Sequence, residues 1–182
     1  PADAPYFIKI DTQGSEVEIL RGAAAILRRH APMVLAESWC EEVYSGVPMT
    51  HDIMTFMYSL GYRLFDLNVA AAWRHATKTA LRSTLKGRLI GLDLLFVKDH
   101  RNLADLSQDQ FLKHVGLCEL FGFRDYGLYI LDQAREISPT LTDMVEAQLR
   151  HNDRRDHRLG ARIARRLRRL YGSAAALYPS LH

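Results

Sequence analysis

The sequence FIKIDTQGSEVEILRG occupies residues 7–22 and decides how the chain begins to fold. Residues 6–11 form an almost continuous apolar run between breakers, which is typical of a strand buried on both faces. The run ends on Asp11, and Gly14 then supplies the conformational freedom that a tight turn needs. Because ligands bind at the carboxyl ends of strands in parallel α/β sheets, the polar residues of this turn are the first candidates for a site.

A helix follows the turn. Ser15 and Glu18 have the spacing of a capping box, which predicts that the helix begins at Ser15. Pro32 blocks its continuation. The apolar stripe of this helix is expected to consist of Val17, Leu20, Ala24 and Leu27.

A second apolar strand, residues 33–38, comes directly after this helix and also contains an acid, Glu37. A strand, a helix and a strand of these lengths form a βαβ unit, whose two strands are parallel and adjacent. The sequence therefore predicts that Asp11 and Glu37 lie at the same edge of one sheet.

The next segment contains a helix and two more strands. Thr50 is expected to cap a helix that ends at Gly61 and faces inward with Ile53, Met57 and Leu60. Residues 62–67 and 90–98 read as two strands paired antiparallel, with a partly helical insertion at 68–88. From about residue 103 the pattern is helical, and Ser107 with Gln110 forms a second capping-box spacing.

The composition narrows the class of protein. The chain has 182 residues, 48% of them hydrophobic and 25% charged, with a net charge of +3, as expected of a soluble globular protein. The sequence has no apolar run of the roughly 18 residues that span a bilayer, and the two cysteines have no metal-site spacing, so we expect a cytoplasmic location. The first residue is Pro1, so we also expect the chain to be a piece of a longer protein.

The stretch at residues 7–22, followed by PMVLAE at 32–37, resembles the signature of FkbM-type S-adenosylmethionine-dependent methyltransferases. The strand pair at 62–67 and 90–98 resembles the sheet edge of that family. The resemblance implies an α/β fold with the Rossmann-like class I methyltransferase sheet, of which residues 1–99 form the C-terminal half with the last strand antiparallel. Residues 100–182 would be an all-α extension with a basic C-terminal helix.

The resemblance also implies a function. The family methylates hydroxyl groups of sugars, glycans and small metabolites, so the expected activity is that of a bacterial O-methyltransferase. The main cofactor-binding motif of the fold would lie upstream of Pro1, and the fragment is expected to be inactive alone. A non-catalytic interaction module built on a degenerate methyltransferase half is the alternative.

Candidate site residues follow from the same motif. Asp11 and Glu37 are the expected catalytic acids, because methyl transfer to a hydroxyl needs a carboxylate that orients the hydroxyl or accepts its proton. The expected contacts to S-adenosylmethionine are Asp11, Gln13 and Gly14, and the expected contacts to the acceptor are Glu16, Ser38, Trp39 and His75. Carboxylates at one sheet edge could also hold a divalent metal, but we assign no metal site.

The arginine-rich tail indicates a function less clearly than the motif at residues 7–22 does. Residues 154–171 have apolar positions at helical spacing and an otherwise basic surface, which most simply describes a helix packed on its neighbours. Weak contact with an anionic membrane surface is a second interpretation. Nucleic acid is not expected as a partner, because no stacking aromatics or recognition motif accompany the charge.

Overall fold

The computed structural model describes residues 5–73, 87–99, 101, 107–134, 142–143, 145–147 and 150–151. The chain divides into two compact units, Pro1–Leu117 and Cys118–His182. The described residues do not include 74–86 of the predicted insertion, with His75 among them, or the basic segment 154–171. Among the described residues, no helix has the length and apolar character needed to cross a membrane.

Within the described residues, the structure has four strands and five helices. In chain order they are β1 (Phe7–Ile10), α1 (Glu16–Gly22), α2 (Ala24–His30), β2 (Met33–Trp39), α3 (Thr50–Ser59), β3 (Tyr62–Trp73), β4 (Arg88–Lys98), α4 (Gln108–Leu120) and α5 (Arg124–Ala134). The mixed α/β character expected from the sequence is confirmed.

The strands form one sheet in the order β1-β2-β4-β3. β1 and β2 are parallel neighbours, as the βαβ pattern predicts, with Ile10 opposite Ala36. β4 is antiparallel to both β2 and β3, so the predicted antiparallel strand pair is also confirmed. The last strand therefore lies between the second and third strands in the described sheet.

One core cluster lies on the face of this sheet that is covered by the helices that follow β1 and β2. Alternate strand residues meet apolar side chains of α1, α2 and α3 there, and burying them supplies most of the stabilisation of this unit. The buried members of this cluster are Ile10, Val17, Leu20, Leu27, Val34, Ala36, Ile53, Met57, Leu60, Tyr62, Leu92, Leu94 and Phe96. The residues predicted to face inward from α3 are all among them.

The first strand is less buried than its apolar sequence suggests. In β1 only Ile10 is buried, and Lys9 is exposed. The prediction of a strand buried on both faces was wrong, because only the face of β1 that carries Ile8 and Ile10 packs against the described core cluster, whereas the other face carries the exposed Lys9.

One predicted helix cap was right in position only, and the other was wrong. Ser15 precedes α1 but makes no side-chain capping hydrogen bond within the described chain, because the turn is held by Glu16 instead. Thr50 is the first residue of α3 rather than its cap. Its hydroxyl donates to Trp39 O at 3.0 Å, whereas Asp52 Oδ2 accepts from Met49 N at 2.8 Å.

The segment after residue 67 also differs from its predicted structure. β3 continues to Trp73 and pairs with β4 as far as Arg88, so residues 68–73 are strand rather than part of a helical insertion. The alanines of this segment suggested a helix, but pairing with a full-length neighbouring strand overrides so weak a propensity.

The start of α4 confirms the second capping box. Ser107 N donates to Gln110 Oε1 at 2.9 Å, and Gln110 N contacts Ser107 Oγ at 3.4 Å. Gln110 Nε2 also lies 2.9 Å from His30 Nδ1, at the end of α2. One glutamine thus both caps α4 and connects it to the preceding helix layer.

His114 in α4 makes stability depend on pH. The side chain is buried, and burial lowers its pKa from 6.5 to about 4. In the unfolded chain His114 becomes protonated near pH 6.5, whereas in the folded chain it becomes protonated only near pH 4. The free energy of unfolding therefore falls as the pH drops from 6.5 to about 4. His114→Leu removes the titrating group. We therefore expect the variant to gain about 3 kcal/mol of unfolding free energy relative to wild type when the pH is lowered from 7 to 4. Urea titrations at both pH values measure this difference, and a difference independent of pH would contradict it.

Candidate active site

Polar side chains form a row across the sheet at the carboxyl ends of β1 and β2. Asp11 comes one residue after Ile10, whose partner is Ala36, and this register places Asp11 beside Glu37. Glu37 is opposite Asp93 of β4, and Asp93 is opposite Asn68 of β3. Because strand side chains alternate between faces, this row lies on the face opposite the helix-covered core.

Gln13 joins the two predicted catalytic acids. Its Nε2 donates to Glu37 Oε2 at 2.7 Å and to Asp11 Oδ1 at 3.2 Å. Lys9 Nζ donates to the other Asp11 oxygen at 3.2 Å. The prediction that Asp11 and Glu37 share one edge of the sheet is therefore confirmed, and the amide of Gln13 is the group that connects them.

Gln13 adopts a backbone conformation that is uncommon for a residue with a side chain. Its φ is 58°, in the left-handed region that favours glycine, and the next residue, Gly14, has φ 120°. These two consecutive left-handed residues turn the chain sharply between β1 and α1. As a result, the Gln13 side chain points back over the end of the sheet towards Glu37.

A tyrosine from the loop after β2 reaches the same cluster. Tyr44 donates its hydroxyl hydrogen to Gln13 Oε1 at 3.3 Å. The Tyr44 ring contacts the Trp39 ring edge to face, with the centroids 6.0 Å apart. The loop between β2 and α3 thus closes one side of the cluster.

Glu16 holds the turn between β1 and α1 by accepting hydrogen bonds from its residues. Its side chain is only 1% exposed, and its Oε1 accepts from Thr12 N at 2.8 Å and from Thr12 Oγ1 at 3.1 Å. Its Oε2 accepts from Gly14 N at 2.9 Å. Because both oxygens are occupied and the group is buried, we assign Glu16 to the architecture of the turn instead of to acceptor contact.

The two acids of the pair have opposite electrostatic environments. Hydrogen bonds from Lys9 and Gln13 lower the pKa of Asp11 below its usual value of 3.8. Partial burial raises the pKa of Glu37 above 4.5, and the neighbouring acids Asp11, Glu16 and Asp93 raise it further. Asp11 is therefore the acid that stays ionised, and Glu37 is the acid that holds a proton more readily.

Gly14 is required by space as well as by its φ. A Cβ at this position would lie 3.0 Å from Val47 Cγ2. We expect Gly14→Ala to lower the free energy of unfolding by about 1–3 kcal/mol, because the variant adds both backbone strain and a clash. Urea titration measures the loss. Because Val47 is itself buried, the clash is isolated by a double-mutant cycle: Gly14→Ala/Val47→Ala should lose less stability than the sum of the two single losses. Losses that simply add would rule out the clash.

Two further residues that were predicted to contact the acceptor are buried in the structure. Ser38 is fully buried, and its Oγ lies 3.0 Å from Thr50 Oγ1 because the strand turns this side chain towards α3. Trp39 is 9% exposed and packs with Val47 and Ile90 in a second small core. Both side chains therefore pack inside the fold, and their contact with the acceptor stays a prediction.

The positions of Gly14 and His75 do not decide whether these residues contact a ligand. Gly14 donates its amide to Glu16, so the turn itself uses this N–H. His75 lies outside the described residues. In the part of the chain that the structure describes, no group of three or more potential ligands could hold a metal ion.

Sequence reasoning missed two members of the cluster. Asp93 interrupts an apolar strand, and this polar residue in an otherwise apolar run was the available signal. Tyr44 is in a loop without periodicity, so nothing in the local sequence indicated its contact with Gln13.

Comparison with known proteins supports the resemblance drawn from the motif. Residues 2–64 match the family model described as the methyltransferase FkbM domain. This range covers the acid pair, Gln13, the Tyr44 loop and α3. No curated protein and no solved structure matches the chain. The N-terminal part of the chain, residues 2–64, is therefore similar to FkbM methyltransferase domains, which indicates methyltransferase activity as its general class.

Proposed function

We propose that this chain forms the acceptor-activating part of an S-adenosylmethionine-dependent O-methyltransferase that acts on a hydroxyl of a sugar, glycan or small metabolite. The observation that carries the proposal is the Asp11–Gln13–Glu37 cluster at the carboxyl ends of two adjacent parallel strands. The cluster lies within the range that matches the FkbM domain.

The sheet supports the same proposal. A parallel pair followed by a last strand antiparallel to both neighbours is the arrangement that the Rossmann-like methyltransferase interpretation requires of its C-terminal half. The ligand crevice of such sheets lies beyond the carboxyl ends of the parallel strands. Asp11 and Glu37 are at these ends.

The chain's own residues fit a cationic methyl donor. Asp11 is exposed at the strand end, and its lowered pKa keeps it ionised, so it can attract positive charge. S-adenosylmethionine supplies a methyl group on a sulfonium sulfur, and the C–S electron pair stays on sulfur when the methyl leaves. The Asp11 carboxylate would stabilise the bound cation.

Glu37 is the better proton acceptor of the pair. When the acceptor oxygen forms its bond to the methyl carbon, the hydroxyl proton must go to a base, and a carboxylate with a raised pKa is the more effective one. Gln13 keeps Glu37 in place through the 2.7 Å hydrogen bond. The products are then the methyl ether, neutral S-adenosylhomocysteine and a protonated Glu37.

Calorimetric titration of the full-length protein with S-adenosylmethionine tests the proposal. We expect saturable binding that Asp11→Asn weakens at unchanged thermal stability. Glu18→Gln is the matched control, because Glu18 is an exposed acid on α1 outside the cluster. If the full-length protein shows no binding, the methyltransferase proposal fails and the interaction module becomes the better interpretation.

A further inference from the structure

Tyr44 contacts the residue that joins the two acids, and neither the family match nor the acid pair explains this contact. It contacts neither acid by any described hydrogen bond, yet its hydroxyl donates to Gln13 Oε1 at 3.3 Å. Its ring is held edge to face against Trp39, which is buried. Tyr44 itself is half-exposed, so this ring contact and the hydrogen bond to Gln13 are the two interactions that position its hydroxyl in the described structure.

The chemistry of the partners determines the orientation of the Gln13 amide. Ionised carboxylates only accept hydrogen bonds, so the Gln13 nitrogen must face Asp11 and Glu37. The Gln13 oxygen then faces away from the acids and needs a donor, which is the Tyr44 hydroxyl. With this donor, the amide is held on its oxygen side as well as on its nitrogen side, which restricts the motion of the whole side chain.

The backbone conformation of Gln13 is strained, which indicates that its side chain has a role that outweighs the energetic cost of this conformation. A glycine would adopt φ 58° without strain, whereas a residue with a Cβ does so at a cost. Such strain at a strand end, combined with contacts to both acids, indicates a functional constraint. The side chain thus contributes something that glycine could not.

We propose that Tyr44 and Gln13 form a positioning relay for the Asp11–Glu37 pair. The Tyr44 hydroxyl fixes the Gln13 amide, and the amide holds the two carboxyls in the arrangement in which Glu37 accepts the proton of the acceptor hydroxyl. This inference rests on the proposed function for its role in catalysis, and both relay residues act through the acids instead of reacting themselves.

The relay changes the titration of Glu37 in a definite direction. Among the described residues, Asp11 of the β1 end, Glu16 of α1 and Asp93 of β4 raise the pKa of Glu37. The hydrogen bond from Gln13 to the ionised form opposes them. Loosening Gln13 should therefore raise the pKa of Glu37 further.

The test measures carboxyl titrations by NMR in protein labelled with ¹³C at the side-chain carboxyls of Asp and Glu. Tyr44→Phe, which retains the ring, is expected to raise the pKa of Glu37 by about 0.5–1 and to shift the Gln13 side-chain amide resonances. Gln13→Gly should raise the pKa of both acids of the pair while leaving the melting temperature unchanged or higher. A merely structural role would instead lower the melting temperature of Gln13→Gly.

Tyr58→Phe is the matched control, because Tyr58 is an exposed tyrosine on α3 whose ring contacts Arg63. An unchanged Glu37 titration in Tyr44→Phe, or an equal change in Tyr58→Phe, would overturn the relay. In the full-length enzyme, Tyr44→Phe should move the pH dependence of the methyl-transfer rate in the same direction as the pKa of Glu37, and an unmoved profile would overturn its catalytic role. Failure of S-adenosylmethionine binding would refute the proposed function without altering the NMR result, so the two failures are distinguishable.

Discussion

Replacing Glu16 by alanine is expected to lower the free energy of unfolding by about 2–4 kcal/mol. The carboxylate is buried and accepts hydrogen bonds from Thr12 and Gly14 through both of its oxygens. Alanine removes the acceptors and leaves the amides of the turn to find other partners in a partly buried position. Glu16→Gln should lose less stability, because its amide oxygen still accepts from one side of the turn.

Tryptophan fluorescence during urea unfolding measures this loss. The chain has two tryptophans, so a Trp73→Phe background leaves Trp39 as the only indole, close to the turn. The control Glu18→Ala removes an exposed acid from the same helix, and we expect it to change stability by less than about 0.5 kcal/mol. If Glu16→Ala is as stable as this control, Glu16 does not organise the turn, and its earlier assignment to acceptor contact regains support.

Replacing Glu37 by glutamine is expected to reduce the rate of methyl transfer by about 10²–10⁴-fold. Glutamine keeps the size of the side chain but cannot accept a proton. S-adenosylhomocysteine formation by the full-length protein, with a panel of neutral sugars and small alcohols as acceptors, provides the measurement. The affinity for S-adenosylmethionine should change little, because Asp11 is the acid expected to attract the cation.

The pH dependence sharpens this experiment. In the wild type the rate should rise with pH through the raised pKa of Glu37, since only its ionised form accepts a proton. Glu37→Gln should lose this rise. A variant that retains wild-type transfer, or the same pH profile, would show that another group is the base.

Much of the fold could be predicted from local sequence patterns. The order of strand, helical segment and strand in residues 7–39 and the antiparallel pair β3–β4 follow from periodicity and connection length, which are local properties. The division of the helical segment into α1 and α2 was not predicted. The extension of β3 to Trp73 could not be predicted in this way. It depends on pairing with β4, and the local sequence of alanines gives no indication of that partner.

Local patterns likewise predicted one part of the candidate site and not the rest. The shared position of Asp11 and Glu37 follows from parallel pairing, which the sequence indicates. Burial was harder to predict, since Glu16 and Ser38 have the composition of exposed polar residues but lie beneath the turn and against α3. The contact of Tyr44 with Gln13 joins residues 31 positions apart through a loop, so only the folded chain shows it.

The most direct test of the site is the titration of Asp11 and Glu37 in the wild-type chain, followed by carboxyl ¹³C NMR. We expect Asp11 to titrate below 3.8 and Glu37 above 4.5. We also expect Asp11→Asn to lower the pKa of Glu37, because it removes a neighbouring negative charge. Two acids that titrate at their ordinary values and do not respond to each other's replacement would contradict the paired site, and with it the assignment of Glu37 as the base.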